Sequence, residues 1–128
     1  KLLKSKPQIQ HINIFGHSYG ASIVTELGDK SDLGSVDIHS IAGALVPMKR
    51  LKKRCPDFIG YEDIKLSYRH FQWRTVKKQD GAFKRMDFDP QLVDISGSSV
   101  ISLPPVFKDG KRLGHNRSIE WVFNKYFE

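Results

Sequence analysis

Short apolar runs, each stopped by glycine or a polar loop, mark the first third of the chain. Ile9 to Phe15 is rich in β-branched residues and ends at Gly16, which predicts a strand. Beyond it, Gly20, Ile23, Val24 and Leu27 recur at helical spacing and predict one apolar helix face, with Gly28 as the stop. Asp29 to Ser35 is polar and reads as a loop. Val36 to Ala42 predicts a second strand ending at Gly43. Strand, helix and strand in succession form a βαβ unit, which implies parallel pairing and a right-handed crossover. The expected fold class is therefore α/β, a mainly parallel sheet flanked by helices.

The middle of the chain carries a weaker pattern. Ile64 to Val76 is rich in aromatic and β-branched residues, and Asp80-Gly81 is a hairpin-type pair. Ala82 to Phe88 is the expected returning strand. Val100 to Phe107 predicts a further short strand, which Pro104 and Pro105 push towards an edge or a loop. Ile119, Val122, Phe123 and Tyr126 restore the helical period at the end, with Asn116 or Ser118 available as N-cap. No internal repeat or linker divides residues 1 to 128, so one domain is expected.

Composition narrows the class. No apolar run approaches the roughly 18 residues of a membrane span, and the charged start lacks the apolar stretch of a signal peptide. An intracellular setting is the slightly favoured expectation. Cys55 is the single cysteine, so no internal disulfide can form. No Cys-x-x-Cys or His-x-x-x-His pair calls for a metal, and no motif calls for a cofactor. The net charge is +7, densest from Lys49 to Arg54. Such a cluster can approach an anionic membrane, an anionic substrate or an acidic protein. Without interleaved aromatic residues it is a poor fit to nucleic acid.

The chemistry concentrates at Gly16-His17-Ser18-Tyr19-Gly20, between the first strand and the first helix. A serine hydroxyl becomes a nucleophile when a base takes its proton and backbone N–H groups hold the developing oxyanion. A tight strand-to-helix turn projects the serine, and glycines two residues before and after let neighbouring backbone pass closely. The Tyr19 N–H, at the helix start, is the natural oxyanion donor.

This run resembles the nucleophile elbow of the α/β-hydrolase superfamily, in the form found among lipases, esterases and thioesterases. The resemblance implies an ester- or thioester-cleaving serine hydrolase acting on a small-molecule or lipid ester through an acyl-Ser18 intermediate. It also implies a later acid and then a histidine just before a late helix. Gly114-His115-Asn116 precedes the last helix, so His115 is the expected base. His11, His39 and His70 fall within strand-like runs, and His17 is expected to brace the elbow. Four aspartates, Asp80, Asp87, Asp89 and Asp94, lie where the acid belongs. Asp89 is the chosen acid because Asp89-Pro90 follows the expected strand Ala82 to Phe88, and Asp80 is ascribed to its Asp-Gly turn.

Only seventeen residues precede Ser18, whereas the family places several strands before the elbow. The resemblance thus implies a partial fold whose N-terminal strands are missing, supplied by a longer chain or a partner. An open sheet edge and an exposed apolar face are the expected result. The rival reading is a non-catalytic hydrolase-like module that binds through its basic surface.

Overall fold

Strand β2 (Val36–Ile41) is buried along its whole length, as a central parallel strand should be. The computed structural model describes residues 10–30, 35–46, 61 and 66–128. Lys49 to Arg54 and Cys55 lie outside them. On one side β2 pairs with β1 (Ile12–His17), and on the other with β3 (Arg69–Arg74), which pairs in turn with β4 (Ser99–Ser102). All three pairings are parallel, so the described residues form an α/β fold with a four-stranded parallel sheet and two helices.

Helix α1 (Tyr19–Lys30) joins β1 to β2, and helix α2 (Gly114–Tyr126) ends the chain. Ser40 contacts Thr25 of α1, while its neighbour His39 contacts Tyr126 of α2. Successive strand residues point to opposite faces, so the two helices cover opposite sides of the sheet. No helix among the described residues is long and apolar enough to cross a membrane.

Several expectations need correction. Of the expected helix face, Ile23 and Leu27 are turned outward, 67% and 45% exposed, while Val24 stays over the strand at Gly16 and Ala21, Ser22 and Thr25 face the sheet beside it. Thr25 is held there by polar partners: its hydroxyl lies 2.9 Å from Ser40 Oγ and 3.2 Å from His70 Nε2. Ala82 to Phe88 is also not a strand. Because β3 pairs in parallel with both neighbours, no hairpin returns from it, and the segment forms turns with Phe83 buried. The first strand runs two residues further than expected, to His17, and α1 continues past Gly28 to Lys30. Helix α2 starts at Gly114, ahead of both expected caps, and Ser118, just past its first turn, donates back to the carbonyl of His115. The strand before the prolines sits at an edge of the sheet among the described residues, and ends at Ser102.

On the α2 side, one row of the sheet stacks three rings from three strands. Phe15, His39 and Phe71 are in register, with centroids 4.4 Å and 4.9 Å apart and nearly parallel planes. The central His39 accepts from Trp73 Nε1–H at 3.2 Å, and its other nitrogen lies 3.3 Å from Asn13 Oδ1. On the α1 side His70 is bonded to Ser40 at 2.9 Å and Ser98 at 2.8 Å. Burial pushes both histidines down to about 4, Asp37 partly opposing the effect at His39 and His39 adding to it at His70.

Both groups are therefore neutral in the fold while an unfolded histidine, near pH 6.5, takes up a proton. Stability is full above pH 6.5 and falls as the pH drops towards 4. Each tenfold loss of proton affinity is worth about 1.4 kcal/mol, so the two histidines together cost a few kcal/mol in acid. Urea midpoints are expected to fall between pH 7 and pH 4, and to fall less steeply in His70→Gln. A midpoint flat across that range would refute this origin of acid sensitivity.

Candidate active site

Ser18 occupies the single residue between β1 and α1, with φ of 56°, a left-handed conformation that serine rarely adopts. The surrounding backbone holds it there. Its N–H donates to Ile41 O at 3.0 Å, and its carbonyl accepts from Ala21 N at 3.2 Å and Ala44 N at 3.1 Å. Ala42, at the end of the adjacent strand, is left-handed as well, with φ of 44°. Strain of this kind costs on the order of 1–3 kcal/mol for each residue and persists where neighbours over-determine it.

The two flanking glycines differ. A Cβ on Gly16 would stand 2.3 Å from Gly20 O and 2.5 Å from Val24 Cγ2, so the return of the helix over the strand requires glycine there. A Cβ on Gly20 would meet nothing within 4 Å. The close passage expected of both glycines thus belongs to Gly16, and Gly20 contributes its backbone. Tyr19 is the first residue of α1, so its N–H has no acceptor within the helix.

His115 sits in the first turn of α2, after a left-handed Gly114 (φ of 59°) and a buried Leu113 whose N–H donates to Pro105 O at 3.1 Å. Its ring meets the Phe83 ring edge-on at 4.8 Å and lies 4.5 Å from the His17 ring. His17 Nε2–H donates to the His115 carbonyl at 3.0 Å, so the residue beside Ser18 ties the elbow to the histidine turn. Burial pushes the His17 imidazole below its usual range, with the His115 carbonyl opposing.

The partner of His115 is Asp80. His115 Nδ1 lies 2.9 Å from Asp80 Oδ2, and the Asp80 side chain is fully buried. A carboxylate at this distance places the proton on Nδ1 and leaves Nε2 as the free lone pair. Asp80 also accepts from Thr75 Oγ1 at 2.5 Å, from Ala82 N at 2.9 Å and from Phe83 N at 3.1 Å. Burial acts to raise its pKa, but the bonds from His115, Thr75 and the backbone outweigh it and hold the carboxyl below the usual range. The described hydrogen bonds do not include one between Ser18 Oγ and His115; such bonds are often long until substrate binds.

Asp89, the acid expected from the sequence, does not meet His115. Its Oδ1 accepts from the N–H and Nε2 of Gln91, both at 3.1 Å, so it caps its own Asp-Pro turn. Asp87 and Asp94 are exposed. The carboxylate that does meet His115 comes after β3 and the short 3-10 turn Lys77–Gln79 that follows it. Two residues that sequence reasoning missed, Thr75 and Gln91, are buried behind Asp80.

A recess of about 250 Å³ borders His115, with Gly81, Asn116, Arg112 and Arg117 around it. Arg117 is pinned by Asp109 at 2.9 Å and stacks over Phe107. Among the described residues no group of three or more His, Cys, Asp or Glu could hold a metal ion. No family model, curated protein or solved structure matches the chain.

Proposed function

We propose that the chain is a serine hydrolase of the α/β-hydrolase type that cleaves a carboxylic ester or thioester. The observation that carries the reading is the pairing of buried Asp80 with half-buried His115, tied through His17 to a left-handed serine between a parallel strand and a helix. Asp80 holds the His115 proton on Nδ1. His115 Nε2 takes the Ser18 proton as Oγ attacks the carbonyl carbon, and the Tyr19 N–H receives the oxyanion. The same proton passes to the leaving alcohol or thiol as the carbon–oxygen or carbon–sulfur bond breaks. Water, deprotonated by His115, then cleaves the acyl-Ser18 ester. An ester-bearing small molecule or lipid is the proposed substrate.

A fluorophosphonate probe tests this directly, because it reacts with an activated serine. Labelling is expected in the wild-type chain, at Ser18, and absent in Ser18→Ala. Labelling that survives Ser18→Ala, or a folded wild-type protein that takes no label, overturns the reading.

A further inference from the structure

Thr75 lies just past β3, is buried, and has one hydroxyl proton facing two acceptors. Its Oγ1 is 2.5 Å from Asp80 Oδ2 and 3.1 Å from Gln91 Oε1. The nearer oxygen is the one that meets His115 Nδ1, so Thr75 and His115 draw on the same carboxylate oxygen. Gln91, 1% exposed, clamps Thr75 on both sides of its backbone. Its Oε1 accepts from Thr75 N–H at 2.8 Å, and its Nε2 donates to Thr75 O at 3.1 Å and to Asp89 Oδ1 at 3.1 Å. A reversed amide would set two donors against each other at Thr75 N, so the network leaves Gln91 one orientation.

We propose that Thr75, clamped by Gln91, is a positioning residue that sets how strongly Asp80 grips the His115 imidazole, and with it the pH range over which His115 serves as base. The proposal rests on the hydrolase reading above. An O–H donor draws charge from the carboxylate oxygen it meets, and so weakens that oxygen's hold on a protonated ring. Removing the donor strengthens the hold, and His115 keeps its proton to higher pH. The other charged or titratable groups around the pair are His17 on β1, Arg112 and Arg117 at the recess, and Asp89 behind Gln91. All four are unchanged in the variants that test the proposal.

Thr75→Val keeps the branched shape and removes the proton, and Thr75→Ser restores it. With p-nitrophenyl acetate as probe, the acid limb of the kcat/KM profile is expected to move up by roughly half to one pH unit in Thr75→Val. It should return to the wild-type position in Thr75→Ser, with Thr75→Cys, a weaker donor, falling between. NMR titration of the His115 ring protons should show the same displacement without any turnover. A folded Thr75→Val, or Thr75→Cys if valine does not fold, whose midpoint coincides with wild type by NMR overturns the proposal. Loss of Ser18-dependent labelling in the wild type would instead remove the hydrolase reading, while the ring titration would still report the grip of Asp80 on His115.

Discussion

Asp80→Asn is expected to lower ester hydrolysis by about 10³- to 10⁴-fold, whereas Asp89→Asn should stay within a few-fold of wild type. Asparagine keeps the size of Asp80, and its remaining oxygen can still accept from Ala82 N and Phe83 N. Its amide then occupies the place of Oδ2 and presents a donor to the Nδ1–H of His115. The ring relieves that clash by moving its proton to Nε2, the atom that accepts from Ser18 in the proposed mechanism. At Asp89 the same substitution retains the oxygen that Gln91 uses twice, so the turn survives. Initial rates with p-nitrophenyl acetate, taken on variants of matched folded fraction, decide the matter. If Asp89→Asn were the inactive one, Asp80 would be a turn former and the acid would lie elsewhere.

Gly16→Ala is expected to lose more than about 3 kcal/mol of stability, at the upper end of overpacking costs. The added methyl would stand 2.3 Å from the carbonyl oxygen of Gly20 and 2.5 Å from a Val24 methyl. One obstacle is backbone, so no rotamer change removes it. The helix has to lift from the strand, and Ser18 is between them. Gly20→Ala is the matched control: it enters open space, and alanine is favoured over glycine in helices by up to about 1 kcal/mol. Thermal melts should therefore separate the pair by well over 10 °C, taking a few degrees for each kcal/mol. Equal melting points would mean that the strand and helix part more easily than their spacing implies.

The contrast between those glycines illustrates what the chain discloses by itself. Gly16, Ser18 and the βαβ unit around them were legible because each depends on neighbours within one turn or one crossover. His115 was singled out only through the family resemblance, by its place before the last helical period, and the structure sets it against Asp80. Asp80 was not legible. Its Asp-Gly pair looks the same whether a hairpin returns or the side chain caps a turn, and only the parallel pairing of β3 with residues 99–102 separates the two. Asp89-Pro90 did signal a turn, and Asp89 caps it through Gln91. Helix α1 shows the reverse failure: the period in Ile23 and Leu27 was real, yet the sheet is met by Ala21 and by Thr25, whose hydroxyl joins Ser40 and His70. Apolar periodicity reports an apolar face, and polar partners across the sheet decide which face turns inward.

The separation in sequence between the groups that meet at the site has an energetic consequence. Asp80 and His115 are 35 residues apart, but His17 and His115 are 98 apart. Loop-closure entropy grows as (3/2)RT ln n, so joining the Ser18 turn to the histidine turn costs about 1 kcal/mol more than joining Asp80 to His115. In a partly loosened chain the Asp80–His115 contact is the easier one to keep, and the approach of His115 to the Ser18 turn is the first to be given up.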